Sequence, residues 1–166
     1  MDVVIDANIL IDLLDIDLFE LFLALPWRRY VSYEVVGEMR PDNRPAVENA
    51  IEAGRLIRPT FDFDDILQIQ TLASAYRRFS SADCSCLYLA RKLSANLLTG
   101  ERLLRNIARE HYAIRVHGTI FVIDTMAGSV VSYSEAHTRL SQLEKINPRL
   151  PKSEINRYLE RWKKLS

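Results

Sequence analysis

The chain has 166 residues, 48 % of them hydrophobic, with 22 basic and 22 acidic side chains for a formal net charge of zero. That is the profile of a single globular domain able to bury a sizeable core. It excludes a global electrostatic field that would draw the protein onto nucleic acid or a membrane, so any such attraction must come from a local patch.

The chain opens with Val3, Val4 and Ile5, an apolar run that stops at Asp6. The spacing predicts a strand over 3–5, helices over 8–14 and 18–25, a short strand over 30–32, and helices over 33–39 and 46–53. A short strand is expected at 56–57, then a long helix over 63–79 and another over 82–93 with apolar positions 87, 90 and 93 on one side. Further strands at 96–99 and 114–117 enclose a helix over 102–110, and three helices follow over 119–127, 134–146 and 152–163. Short punctuation by Pro26, Pro41, Pro45, Gly54, Gly100, Gly118, Pro148 and Pro151 separates these segments, with no repeat or long linker.

Strands alternating with helices predict an α/β fold with a central parallel sheet flanked by helices on both faces. The first strand is the most apolar and is expected near the sheet's centre. No apolar run reaches the length of a membrane span, and the first residues lack the pattern of a signal peptide. Cys84 and Cys86 lie two apart in a helical pattern, so they point to different faces and are not expected to bridge. A reduced, cytoplasmic protein is the expectation.

In open α/β sheets ligands bind beyond the carboxyl ends of the strands. Asp6 ends the first strand, and Glu101 follows the 96–99 strand across Gly100. Glu38, in VSYEVVGEM, and Asp83, in SSADCSCLYLARK, lie on helices able to reach the same rim. Two like charges about 4 Å apart repel by roughly 4 kcal/mol at an intermediate dielectric, so such a cluster needs protons or cations. Oxygen-only ligands suit Mg²⁺ or Mn²⁺.

Each acid also has a local reading. Asp83 stands three residues after Ser80, as in a capping box. Glu101 has the spacing to cap behind Thr99 or to pair with Arg105, and Glu38 and Glu34 fit a solvated helix face. Asp6 is the hardest to explain locally, because a carboxylate closing a buried strand needs a partner. Asp12, Asp15 and Asp17 read as solvated, Asp62, Asp64 and Asp65 as a helix start, and Asp124 as able to face either way. His111, His117 and His137 lack ligand spacing.

VIDANILIDLL, VSYEVVGEM, SSADCSCLYLARK and NLLTGERLLR, in that order, resemble the four motif regions of PIN-domain nucleases. The likeness covers about residues 1–120. From VHGTIFVIDTMAGSVV onward the chain is similar to a subgroup with a helical extension rather than to the shortest VapC-type toxins. The resemblance implies one PIN-like domain over 1–166, with a core to about 120 and an extension over 119–166.

It also implies acidic site residues at Asp6, Glu38, Asp83 and Glu101, supported by Asn8 and Thr99. Glu101 departs from the Asp more usual at the fourth position. The chemistry expected is Mg²⁺- or Mn²⁺-assisted hydrolysis of RNA phosphodiesters, by the toxin of a toxin–antitoxin pair with a small antitoxin partner. A homodimer is expected, and no membrane association.

Arg102, Arg105 and Arg109 form a stripe suited to substrate phosphates, although such stripes are commonly plain solvated faces. A phosphatase using two aspartates after its first strand is disfavoured by Asn8, and a receiver domain by the absence of lysine from IRVHGTI. The remaining alternative is a PIN-like module that binds nucleic acid or protein without catalysis.

Overall fold

The computed structural model describes residues 1–166. Two compact units divide the chain: Met1–Ile9 with Pro26–His117, and Leu10–Leu25 with Gly118–Ser166.

The first unit holds a sheet of four parallel strands in the order β2-β1-β3-β4, formed by β1 (Asp2–Ile5), β2 (Arg28–Tyr30), β3 (Asn96–Leu98) and β4 (Val116–His117). As expected, the first strand is interior: it pairs with β2 on one side and β3 on the other. Val3, Val4 and Ile5 are fully buried, which a strand covered on its faces requires. The fold is α/β, an all-parallel sheet flanked by helices.

β2 lies two residues earlier than the sequence suggested, because Ser32 leaves the strand to cap α3 (Tyr33–Glu38), where its hydroxyl accepts from the Val35 N–H. At 56–57 there is no strand but a single parallel bridge between Tyr30 and Ile57. The long helix of this region, α5 (Phe63–Ala75), ends four residues early, at Tyr76, whose backbone has left the helical region. β4 is shorter than expected because Ala113 takes a left-handed conformation (φ 53°) that closes α7 (Arg102–Tyr112).

The helix α6 (Ser81–Lys92) is the hub of this unit, packing on β1 and β3 and against α3, α5 and α7. Its residues are buried on every side rather than on one stripe: Ala82, Cys84, Ser85, Cys86, Leu87, Tyr88, Leu89 and Ala90. Small side chains let neighbouring elements approach from several directions. Both cysteines are free, as the sequence implied.

In the second unit, only one turn of the expected 18–25 helix forms, α2 (Phe19–Phe22). Pro26 disfavours helical backbone at the residue before it, which helps to end the segment. α8 (Thr119–Met126), α9 (Tyr133–Ile146) and α10 (Lys152–Lys163) follow the predicted positions closely, with α10 packed along α9. Trp162 is fully buried, and its indole N–H donates to Asp124 Oδ1 at 3.2 Å, beside the Arg161–Asp124 ion pair.

Asp12 overturns its solvated reading. It is 8 % exposed and accepts from Thr119 Oγ1 at 2.5 Å and Asn147 Nδ2 at 2.9 Å. Thr119 and Asn147 lie more than a hundred residues away in sequence, so no local signal marks the pairing. No helix is long and apolar enough to cross a membrane.

Candidate metal centre

Asp6 sits where β1 hands over to α1 (Ala7–Asp15). Its N–H continues the ladder to the Leu98 carbonyl at 3.0 Å, while its own carbonyl accepts from Ile9 N at 3.2 Å. The side chain is 4 % exposed. Oδ1 accepts from the Ala7 N–H at 2.7 Å; Oδ2 accepts from Asn8 Nδ2 at 3.0 Å and from Thr99 Oγ1 at 2.6 Å.

The Asp6 carboxyl is raised from 3.8 to about 6, chiefly by burial, with the carboxylates of Asp83 and Glu38 acting in the same direction. The Thr99 and Ala7 hydrogen bonds oppose that rise. Two other residues brace the rim. Asn8 Oδ1 accepts from Gly100 N at 3.0 Å, and Thr99 Oγ1 accepts from Glu101 N at 3.0 Å. Asn8 and Thr99 therefore tie the ends of β1 and β3 together while orienting Asp6.

Asp83 takes up its local reading. It forms the capping box of α6, with Oδ2 accepting from Ser80 N at 2.8 Å and its own N–H donating to Ser80 Oγ at 3.1 Å. Burial also raises its carboxyl, with a contribution from Glu101, against the lowering effect of the cap. An acid engaged in a cap is thus also in electrostatic reach of Asp6 and Glu101.

Glu38 is the last residue of α3 and is exposed. α3 is pinned to α6 by a 2.7 Å hydrogen bond between the hydroxyls of Ser32 and Ser85, both fully buried. Glu101 is the N-cap residue of α7, but its carboxylate makes no cap. Its side chain does not pair with Arg105, whose guanidinium instead donates to the Gly100 carbonyl at 3.4 Å. Both local readings of Glu101 therefore fail.

Beneath these acids lies Cys86, fully buried, with Sγ 4.0 Å from the Ile5 carbonyl. Burial pushes its thiol well up, and Asp6, Asp83, Glu38 and Glu34 add to that in turn. Glu34 departs from the solvated helix face expected of it. It is half-buried, with Oε2 out of solvent and without a hydrogen-bond partner. Its spacing of four from Glu38 was the available signal.

Ion pairs form elsewhere, among them those at Asp2, Glu48, Asp65, Asp17, Glu135 and Asp124. No lysine or arginine salt-bridges Asp6, Glu38, Asp83 or Glu101, so no protein cation relieves their mutual repulsion. The donor set is oxygen only, which fits Mg²⁺ or Mn²⁺. No three His, Cys, Asp or Glu side chains close on a single point.

Of the arginine stripe, Arg109 donates to the Val116 carbonyl at 2.8 Å and Arg105 to Gly100, so both serve the backbone. Arg102, in the first turn of α7, is exposed and has no protein partner.

The model of the family described as DUF3368: PIN domain matches residues 2–164. The chain belongs to the PIN-domain nuclease family. None of the curated proteins matches it. Among solved structures, that of VapBC2 from Rickettsia felis bound to a DNA fragment from its promoter matches with a TM-score of 0.48 and 14 % identity. That match covers 71 % of this chain and 98 % of the other. The family model thus spans both units of this PIN-domain protein, including the helices beyond His117.

Proposed function

We propose that this PIN-domain protein is a divalent-metal-dependent endoribonuclease, acting in the cytoplasm as the homodimeric toxin of a toxin–antitoxin pair and restrained by a small antitoxin protein. The observation that carries the catalytic part is the group of carboxylates at the carboxyl ends of β1 and β3 with no protein cation among them. The toxin role, the dimer and the antitoxin rest on the resemblance of the four sequence motifs.

In this reading Asp6 and Asp83 hold Mg²⁺ or Mn²⁺, and Glu38 and Glu101 complete the site or orient water within it. When bound, the ion lowers the pKa of its water and stabilises negative charge on phosphoryl and leaving oxygens. Asn8 and Thr99 keep the Asp6 carboxylate in one orientation through their hydrogen bonds. Arg102, free at the start of α7 and next to Glu101, supplies a charge for an RNA phosphate. The reaction needs no nucleophilic side chain, consistent with both cysteines being buried and held as thiols.

The test is cleavage of single-stranded and structured RNA by purified protein with Mg²⁺ or Mn²⁺, beside Asp6→Asn and Asp83→Asn. Metal-dependent cleavage that both substitutions abolish is the expected result. Equal cleavage by all three proteins would mean a contaminant. Inactivity of the wild type, with RNA or protein binding retained, would favour a PIN module that binds without cutting.

A further inference from the structure

We propose that the turn joining α5 to α6, braced by the end of α7, is a binding surface for single-stranded RNA, with bases stacked on the rings of Tyr76 and Phe79 and phosphates held by Arg77 and Arg78. This rests on the RNA reading above and needs no metal ion.

The surface is built locally. Residues 76–79 form a tight turn, closed by the Phe79 N–H donating to the Tyr76 carbonyl at 2.9 Å. Its two ends are aromatic, and their rings stack with centroids 5.1 Å apart at a tilt of 31°. Its tip is Arg77 and Arg78, both exposed and neither with an ion pair or hydrogen bond. α7 braces the turn from the side. The Tyr76 hydroxyl lies 3.2 Å from both His111 Nδ1 and the Tyr112 hydroxyl, and the two rings pack edge-on to Tyr76 at 6.1 and 6.4 Å. Arg91 of α6 stands 5.7 Å over the Tyr112 ring. Three elements therefore fix the rings in advance, which lowers the ordering cost of binding.

Packing alone does not account for this cluster. Tyr76, Phe79 and Tyr112 stay half-buried and His111 is exposed, so the rings do not seal a core. A cluster that only closed the junction of α5, α6 and α7 has no use for two adjacent, mutually repelling guanidiniums at its edge. Against Glu110, the acid next to His111, the surface carries Arg77, Arg78 and Arg91. Rings and free guanidiniums together match one kind of ligand: every base has a π-face to stack, and every phosphate accepts from arginine. A duplex hides its base faces inside the helix, and an acidic peptide uses the arginines but not the rings, so the strand is single. The turn also adjoins the acidic rim. Phe79 is followed by Ser80, whose N–H donates to Asp83 Oδ2 at 2.8 Å, so the stacked rings and the Asp83 cap are consecutive along the chain.

The deciding experiment is fluorescence anisotropy of a short labelled single-stranded RNA with the full chain in EDTA, where no metal-dependent cleavage occurs. Wild type is compared with Phe79→Leu, which keeps apolar bulk but removes the ring, and with the double variant Arg77→Ala/Arg78→Ala. Thermal melts run alongside, and duplex RNA and polyglutamate serve as competitors. Both variants are expected to bind the single strand about 5-fold or more weakly. The arginine variant should keep the wild-type melting temperature and lower the salt-dependence slope by about 1.4, for two phosphates on a single strand. Both competitors should bind more weakly than the single strand. Wild-type RNA affinity in both variants would overturn this surface and leave the nuclease reading standing. Weakening in the arginine variant alone, with duplex or polyglutamate bound as tightly as the single strand, would overturn the stacking and mark a patch for any polyanion, acidic proteins included. No RNA binding by the wild type would overturn both this surface and the RNA reading.

Discussion

Asp6 and Asp65 are buried to the same degree, each 4 % exposed, and both lie in the first unit, yet they are opposites electrostatically. Asp65 accepts from Lys92 Nζ at 2.5 Å, from the Tyr88 hydroxyl and from Asp62 N at 3.0 Å, and the Lys92 ammonium holds its carboxyl well below the usual range. Asp6 also accepts three hydrogen bonds, but all from uncharged donors, and its nearest charges are other acids. Burial alone does not mark a functional carboxylate. What separates the two is whether the protein supplies the countercharge: at Asp65 it does, and at Asp6 that place is left for something else.

The contrast is broken most directly by Asp6→Asn and Asp83→Asn. Each is expected to lower metal-dependent cleavage by more than the roughly 10–100-fold that loss of an outer-shell partner costs. Neither is expected to lower the melting temperature of the metal-free protein as Asp65→Asn will, since only the last strands a lysine. Parallel rate and thermal-melt measurements check this. Cleavage by Asp6→Asn at the wild-type rate would sink the site.

The pH dependence of metal-free stability separates the same two residues. The folded Asp6 carboxyl lies above its unfolded value, so its contribution is fully present below about pH 4 and is lost as pH rises through about 6. A shift of that size corresponds to about 3 kcal/mol, taking roughly 1.4 kcal/mol per unit. Asp65 behaves in reverse: its carboxyl is depressed, so its contribution is present above the unfolded value and disappears as pH falls below it. Urea unfolding across pH 4–8 should show the Asp6 loss in wild type, its absence in Asp6→Asn, and its suppression by Mn²⁺, which holds the ionised form.

Smaller effects refine the picture. Thr99→Val removes the hydroxyl that donates to Asp6 and accepts from Glu101 N, and is expected to cost about 1–2 kcal/mol at pH 7. It should also move the Asp6 transition to higher pH, because the bond it removes favours the charged form. Smallest is Arg102→Ala, expected to reduce the salt dependence of RNA binding by about one phosphate contact while leaving unfolding unchanged. Arg109→Ala should do the reverse, since its guanidinium is occupied by the Val116 carbonyl.

Much of this contrast was legible in particular residues. The run of Val3, Val4 and Ile5 into Asp6 marked a buried strand ending in a carboxylate, and Ser80 with Asp83 announced the capping box that forms. The helix start at Asp62, Asp64 and Asp65, the helix over 152–163 and the interior place of β1 followed from the same local rules. Glu34 and Asp12 did not. Each looks like an acid on a solvated helix face until the Cys86 layer, Thr119 and Asn147 are brought against it.

The amino-acid sequence by itself determined the alternation of strands and helices, the caps, the early end of the strand at Asp6 and the order of the acidic motifs. All of these depend on hydrophobic period, backbone preference and hydrogen bonds that span a few residues. Only the tertiary structure decided which acids receive a countercharge and which oxygens lose their water. Those outcomes depend on distances between residues far apart in the chain, such as Asp6 to Thr99 and Asp65 to Lys92, and on the dielectric that packing creates around them.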